Sequence, residues 1–389
     1  MLIVNHLIPR FPYFNEQSIV GGSANALYNL IQYQDGRVDH RVITNIPYDY
    51  DGRAPFEIIP LSINAAPTTR QFGLLFTYQV VKEGLKKGQL VNLVHGHSGH
   101  FDYILATSLY AALRKIPAIH SVYCPVQPVA ITGRISQQAI FSFADRYIDM
   151  YLAVSENVAK SLHKLGIASE KISIIPPIVD IHRFAFNEEN AIAKENLGLD
   201  PKTPTILFVG STKPVKNLDT VINAFAVVLR EIPGARLIIT TELAHAQHEQ
   251  RTRLLMNMIQ EKNIEDKIIQ LGIVDNMPEL MAAADVLVAP FLDTNGPSDY
   301  FQAVLEAMAV GRPVVVSAVG GMPEIVDEQV GVLTDPDDIS GIASALINLL
   351  RDPELRQTLG QAASVSIQTR HNPAVIAQKM HDLYLSLVG

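Results

Sequence analysis

With 389 residues, 48% of them hydrophobic and 18% charged, the chain has apolar material for two cores of ordinary size and too much of it for disorder. A formal charge of −8 argues against nucleic acid as a partner, because gripping a phosphate backbone needs a basic face. The single cysteine, Cys124, rules out an internal disulfide and suits a reducing, cytoplasmic setting; no apolar run is long enough to span a membrane, and residues 1–9 lack the basic start and cleavage site of a secretory leader.

In chain order, Leu2-Ile3-Val4 begins a strand and residues 9–20 form a long loop that closes on Gly21-Gly22-Ser23. A helix is expected from Ala24 to Tyr33, capped by Ser23, with the two glycines leaving the backbone open to a ligand at the helix's positive end. Strands are predicted at 40–44, 56–61, 90–96, 118–123 and 150–155, separated by helices near 71–86, 103–115 and 156–165. That alternation implies a parallel sheet covered by helices on both faces. The amphipathic stretch from Arg70 to Lys87 reads as sheet cover rather than membrane contact. His95 and His97 alternate at a strand end and project to the same side, but no carboxylate or thiol accompanies them, so the reading is a polar strand end and no metal. Lys171 to Phe184, KISIIPPIVDIHRF, leaves the first half through the stiff pair Pro176-Pro177.

The second half restarts at Thr205 to Val209, a buried strand that enters Gly210-Ser211-Thr212-Lys213-Pro214-Val215-Lys216 before a helix near Leu218. A glycine at the strand end followed by lysines at a helix start can hold a diphosphate, with amides pointing at it and ammonium groups neutralising it. Strands follow at 235–240, 268–271 and 285–290, with helices near 248–262 and 278–284. Residues 293–328, DTNGPSDYFQAVLEAMAVGRPVVVSAVGGMPEIVDE, then give a turn-rich loop, an apolar helix from Phe301 to Val310 interrupted by Glu306, a Gly311/Pro313 stop and a buried Val314-Val315-Val316 strand. A carboxylate at Glu306 among apolar neighbours is costly unless it meets a fixed donor or a ligand hydroxyl. A strand and three helices, 339–351, 353–369 and 374–388, complete the chain.

The segment LEAMAVGRPVVVSAVGGMPEIV closely resembles the donor-site signature of the retaining, two-domain (GT-B) nucleotide-sugar glycosyltransferases often called family 4. The resemblance runs through the whole chain, strongly from Thr205 to Pro336 and more loosely before it. It implies an α/β GT-B architecture, two Rossmann-like domains with parallel sheets facing a cleft: 1–178 on the acceptor side, a junction at 179–203, a nucleotide-sugar domain at 204–372 and a C-terminal helix, 373–389, packing back on the first domain. It also implies that Glu306 binds the nucleotide ribose, that main-chain amides around Gln302, Ala303 and Val304 serve the phosphates, and that Gly21 and Gly22 lie beside them. Lys216 matches the family's phosphate-binding lysine. Ser211 stands where the family has arginine, and Lys213 is expected to supply the missing charge without a guanidinium's bidentate contact.

Two further positions depart from the family. The histidine that usually contacts the donor sugar is replaced by Tyr123, with His120 three residues earlier; either Tyr123 takes over the contact, or His120 does so by a change of register. The first of the family's two glutamates is Ser298, with Asp299 beside it as a shorter substitute. The expected activity is retaining transfer of a sugar, from a UDP-sugar by preference, to a hydroxyl of a soluble small-molecule or glycan acceptor, with no cofactor and no metal. Peripheral membrane contact stays open. The alternatives are a UDP-sugar epimerase, which would release free nucleotide without an acceptor, and a weakly active or non-catalytic relative that binds nucleotide or a partner.

Overall fold

The computed structural model describes residues 1–10, 22–34, 36–45, 56–64, 70–86, 88–126, 141–185, 190–240, 249–272, 274–294 and 298–389. They fall into two compact units: Met1–Ile178 with Asn295–Asp299 and Pro373–Gly389, and Val179–Thr294 with Tyr300–Asn372.

The first unit is built on seven strands, β1 (Leu2–Arg10), β2 (Val38–Asn45), β3 (Glu57–Leu61), β4 (Leu93–His97), β5 (Ala118–Val122), β6 (Met150–Ala153) and β7 (Ile172–Ile174). They lie in the order β3-β2-β1-β4-β5-β6-β7 and every pairing is parallel. β1 begins at Leu2 as expected and runs on through Pro9 to Arg10, two residues into the expected loop, because its pairing with β2 continues that far. The register slips between Ile8 and Arg10, where Pro9 has no N–H to give to the ladder. The first helix is Gly22–Tyr33, beginning two residues before the expected Ala24. Helix Pro373–Val388 belongs to this unit: Gln34 Nε2 donates to the Ala377 carbonyl at 3.0 Å, and Lys379 Nζ to the Ile174 carbonyl at 3.1 Å.

The second unit carries six parallel strands, β8 (Thr205–Val209), β9 (Arg236–Thr240), β10 (Ile268–Leu271), β11 (Val286–Ala289), β12 (Val314–Ser317) and β13 (Gly331–Thr334), in the order β10-β9-β8-β11-β12-β13. Val314, Val315 and Val316 are fully buried, as a strand covered on both faces requires, and each such valine contributes about 1.5–3 kcal/mol of burial. Helix Leu218–Glu231 turns Leu218, Val221, Ile222, Phe225 and Val228 inward, the 3.6-residue stripe that seats it on the sheet. The apolar helix of the signature spans Gln302–Ala309 and ends at Gly311, whose φ of 82° only glycine adopts at little cost. Gly360 lets helix Pro353–Arg370 rest directly on the Gly311 carbonyl, where any Cβ would collide.

In both sheets the strand order reverses beside the first strand, at β1/β4 and at β8/β11. Open α/β sheets take ligands beyond the carboxyl ends of the strands at such a point. Among the described residues no helix is long and apolar enough to cross a membrane.

Candidate active site

The chain leaves β8 at Gly210 and makes a single 3-10 turn, Pro214–Lys216, before helix Leu218–Glu231. Gly210 is needed for the close approach of its neighbours: a Cβ there would sit 3.1 Å from the Phe208 ring and 3.5 Å from Lys216 Cδ. Its N–H donates to the Thr240 carbonyl at 3.2 Å, so this amide serves the sheet. Ser211 and Thr212 are buried and Lys213 is exposed. Lys216 is half-buried, its Nζ 3.9 Å from the centroid of the Phe291 ring and 5.9 Å from that of Phe301. The two rings stand 4.2 Å apart and fix the ammonium by cation–π attraction beyond the carboxyl end of the sheet.

Asn217 fixes this loop, and nothing in the sequence had marked it out. It adopts φ 54°, a left-handed conformation that asparagine tolerates better than most residues. Its Nδ2 donates to the Pro290 carbonyl at 3.0 Å and to the Pro336 carbonyl at 2.8 Å, while its Oδ1 accepts from Thr220 Oγ1 at 2.9 Å. One side chain thus ties the loop after β8 to the ends of β11 and β13. The Leu292 N–H adds a bond to the Val215 carbonyl at 2.9 Å.

Helix Gln302–Ala309 opens at Phe301, which has no side-chain oxygen to cap it, so its first amides keep their positive end. Gln302 and Ala303 are half-buried there. Val304 is fully buried and its N–H donates to the Phe301 carbonyl at 2.9 Å, so the phosphate-facing role expected of 302–304 narrows to Gln302 and Ala303. One turn on, Glu306 accepts a hydrogen bond from Gln302 Nε2 at 3.1 Å. Burial raises its carboxyl to about 7, against the opposing effects of that hydrogen bond and of the Arg183 charge. Arg183 was also missed by sequence; it lies in the segment after Asp180 and donates from Nη2 to the Asp275 carbonyl at 3.4 Å.

In the first unit, Tyr123 directly follows β5 and is buried, with its hydroxyl 2.9 Å from His97 Nδ1. Burial holds its phenol well above the usual tyrosine range. His120 is in no position to replace it. That ring is fully buried on the opposite face, Nδ1 bonding Thr107 Oγ1 at 3.0 Å and Nε2 the Ser98 carbonyl at 3.0 Å, over Gly96, where any Cβ would strike it. The expected pair His95 and His97 does share a face, with ring centroids 4.0 Å apart. The register of β1 with β4 adds His6 directly opposite His95. His6 joins His97 through an N···N hydrogen bond of 2.9 Å and His40 through another of 2.9 Å. His95 meets Tyr384 Oη and Ser121 Oγ, each at 2.7 Å. His6, His95 and His97 could offer a metal one ring nitrogen each, all within 4.8 Å of one another. Their mutual bonds, and those to Tyr123, Tyr384 and Ser121, satisfy the same nitrogens without an ion.

Ser298 is half-buried and Asp299 fully buried, both within the first unit. Asp299 is engaged inside that unit. Its carboxylate accepts from Ser155 Oγ and from Asn157 Nδ2 at 3.0 Å, and its N–H donates to the Tyr123 carbonyl at 2.6 Å. Ser155 in turn caps helix Glu156–Lys164 by accepting from the Val158 N–H at 3.0 Å. Asp299→Ala should therefore lower stability by about 1–3 kcal/mol, because it strands the buried Ser155 hydroxyl and removes a bond from the half-buried Asn157. An unchanged urea midpoint would show that this contact holds nothing. Gly22 opens its helix, while Gly21 lies outside the described residues.

Residues 20–183 match the family Glycosyltransferase Family 4, and residues 189–365 match Glycosyl transferases group 1. The chain belongs to the GT-B glycosyltransferases of group 1. It is 24% identical over 250 residues to N-acetyl-alpha-D-glucosaminyl L-malate synthase of Bacillus anthracis, covering 64% of this chain and 62% of that one. It is 32% identical over 206 residues to D-inositol 3-phosphate glycosyltransferase of Segniliparus rotundus, covering 50% of this chain and 42% of that one. The chain thus matches less than two thirds of the length of either relative. Among solved structures, HepE of Anabaena in complex with UDP superposes with a TM-score of 0.78 at 19% identity over 100% of both chains, a likeness of fold.

Proposed function

We propose that the protein transfers a sugar from a UDP-sugar to a hydroxyl of a small-molecule or glycan acceptor in the cytoplasm, with retention at the anomeric carbon. The observation that carries this reading is the grouping of Lys216, the uncapped start of helix Gln302–Ala309 and Glu306 beyond the carboxyl ends of β8 and β11. Lys216, with Lys213 more loosely, neutralises the diphosphate as it takes up the electron pair of the breaking glycosidic bond. The amides of Gln302 and Ala303 add their positive end to the same oxygens. Glu306 accepts hydrogen bonds from the two ribose hydroxyls. No metal is required, because the lysines supply the positive charge. The structures of HepE with UDP and with UDP-glucose support uracil as the base.

The test is thermal shift and calorimetric titration with UDP, GDP, ADP and dTDP, on the wild type and on Glu306→Ala. UDP should bind the wild type and lose most of its affinity in the variant. Burial raises the Glu306 carboxyl to about 7 and its ionised form is the stronger acceptor, so UDP affinity should hold above that pH and fall, by at most tenfold per unit, below it. Binding by none of the four nucleotides would refute the donor site. A second reading has its own observation: Tyr123 and Asp299 are both engaged within the first unit, which favours a weakly active relative. UDP binding without turnover across an acceptor panel would select it.

A further inference from the structure

Four buried polar side chains cross the first sheet along one diagonal. The strand registers set His40 of β2 opposite Val4 of β1, His6 of β1 opposite His95 of β4, and His97 of β4 opposite Ser121 of β5. His6 therefore stands two residues further along than His40, His97 two further than His6, and Tyr123 two further than His97, each one strand across from the last. Steps of two keep all four on the same face, and the line climbs from β2 to the carboxyl end of β5. One hydrogen bond of 2.9 Å closes each step: His40 Nδ1 with His6 Nε2, His6 Nδ1 with His97 Nε2, and His97 Nδ1 with Tyr123 Oη. His6 and His97 thus use both ring nitrogens within the line.

A neutral imidazole has one N–H and one bare nitrogen, so a ring that donates at one end must accept at the other. Burial first, and neighbouring histidines after it, keep His6 and His97 neutral. The three bonds must then run the same way, because a reversal at either ring sets two lone pairs or two protons face to face away from water. Running inward from Tyr123, the phenol donates to His97 Nδ1, and His97 and His6 both carry their proton on Nε2. Running outward, both rings carry it on Nδ1, the less stable tautomer of neutral histidine. The way these particular nitrogens are paired makes that preference count twice for the inward direction.

We propose that His97, His6 and His40 are positioning residues for Tyr123, a one-way line of hydrogen bonds that turns the phenol's proton inward and leaves its oxygen to accept from a ligand hydroxyl. That the hydroxyl belongs to a sugar substrate rests on the transferase reading; the line itself does not. Engagement by His97 leaves Tyr123 usable, because the oxygen that gives up its proton keeps a lone pair.

The tautomers are read from nitrogen–proton correlation spectra of the imidazoles in the full-length protein, labelled at histidine and held at neutral pH. Each ring is assigned by the signal lost on its own substitution. The wild type should show His6 and His97 both protonated on Nε2; Nδ1–H at either ring would overturn the proposal. His40→Leu strands a buried N–H at the end of the line, so Nδ1–H forms should appear at His6 and His97 together. Their appearance at His6 alone, or at neither, would show that the rings are not coupled. His40→Asn, which offers an oxygen in the same place, should restore the wild-type pattern. In turnover, Tyr123→Phe should lower kcat/KM about threefold to tenfold, the loss of one hydrogen bond. His40→Leu should add nothing to that loss in the double variant, whereas additive losses would make His40 merely structural and overturn its positioning role. Circular dichroism checks that each variant is folded. The tautomers need no turnover, so they decide the line even where the transferase reading fails.

Discussion

Lys216→Ala should lower kcat/KM by about 10²–10³-fold, the usual consequence of deleting one fixed donor aimed at charge that develops in the transition state. Folding should suffer far less. The ammonium leaves the Phe291 and Phe301 rings, a contact of about 1–2 kcal/mol, which in a domain of this size shifts the melting temperature by a few degrees. Lys213→Ala, at an exposed position, should have a milder effect on both. Steady-state kinetics beside a thermal melt separates the two effects. Turnover unchanged in Lys216→Ala would remove the residue from the mechanism.

The first unit should unfold readily in mild acid. His6, His95, His97 and His120 are held neutral by burial, with the charge of neighbouring histidines adding to the effect at the first three; His120 is lowered to about 4. An unfolded chain gains protons at these positions below about pH 6.5 while the folded one does not, so the unfolded state binds more protons and stability falls as pH falls. Above that pH they cost nothing. Below it each adds a slope of about 1.4 kcal/mol per pH unit, together roughly 5, comparable with the whole stability of a domain. Urea unfolding followed by far-UV circular dichroism at about pH 7.5 and about pH 5.5 tests this. Equal midpoints at the two pH values would mean that the cluster is charged, or is open to water, in the folded state.

The second sheet was legible in the sequence almost strand for strand, because a buried parallel strand is written as a run such as TILFV or PVVVS and its ends as glycine and proline. Lys216 and Glu306 were legible too, one as a cation in a strand-to-helix loop, the other as a carboxylate in an apolar helix. Residues whose roles depend on register or long-range closure were not. His6 lies 89 residues from His95, and only the pairing of β1 with β4 places them side by side. The 13 residues between Thr107 and His120 hid why His120 turns to the far face. Asp299 reads as a short glutamate until its two hydrogen bonds to Ser155 and Asn157 are seen. Asn217 is an ordinary loop asparagine in sequence; its left-handed backbone and two proline carbonyls exist only in the folded chain.

That helix Pro373–Val388 is part of the first unit imposes an order of events on biosynthesis. At roughly 5–20 residues per second, the ribosome needs about ten to forty seconds to go from Ile178 to Tyr384. Through that interval His95 lacks its tyrosine partner, and the apolar surface of Leu2, Val4, Leu30 and Leu93 lacks Ile376 and Met380. The half of the protein translated first is therefore the half completed last. A premature stop after Asn372 would leave the second unit whole and break the one at the other end of the message.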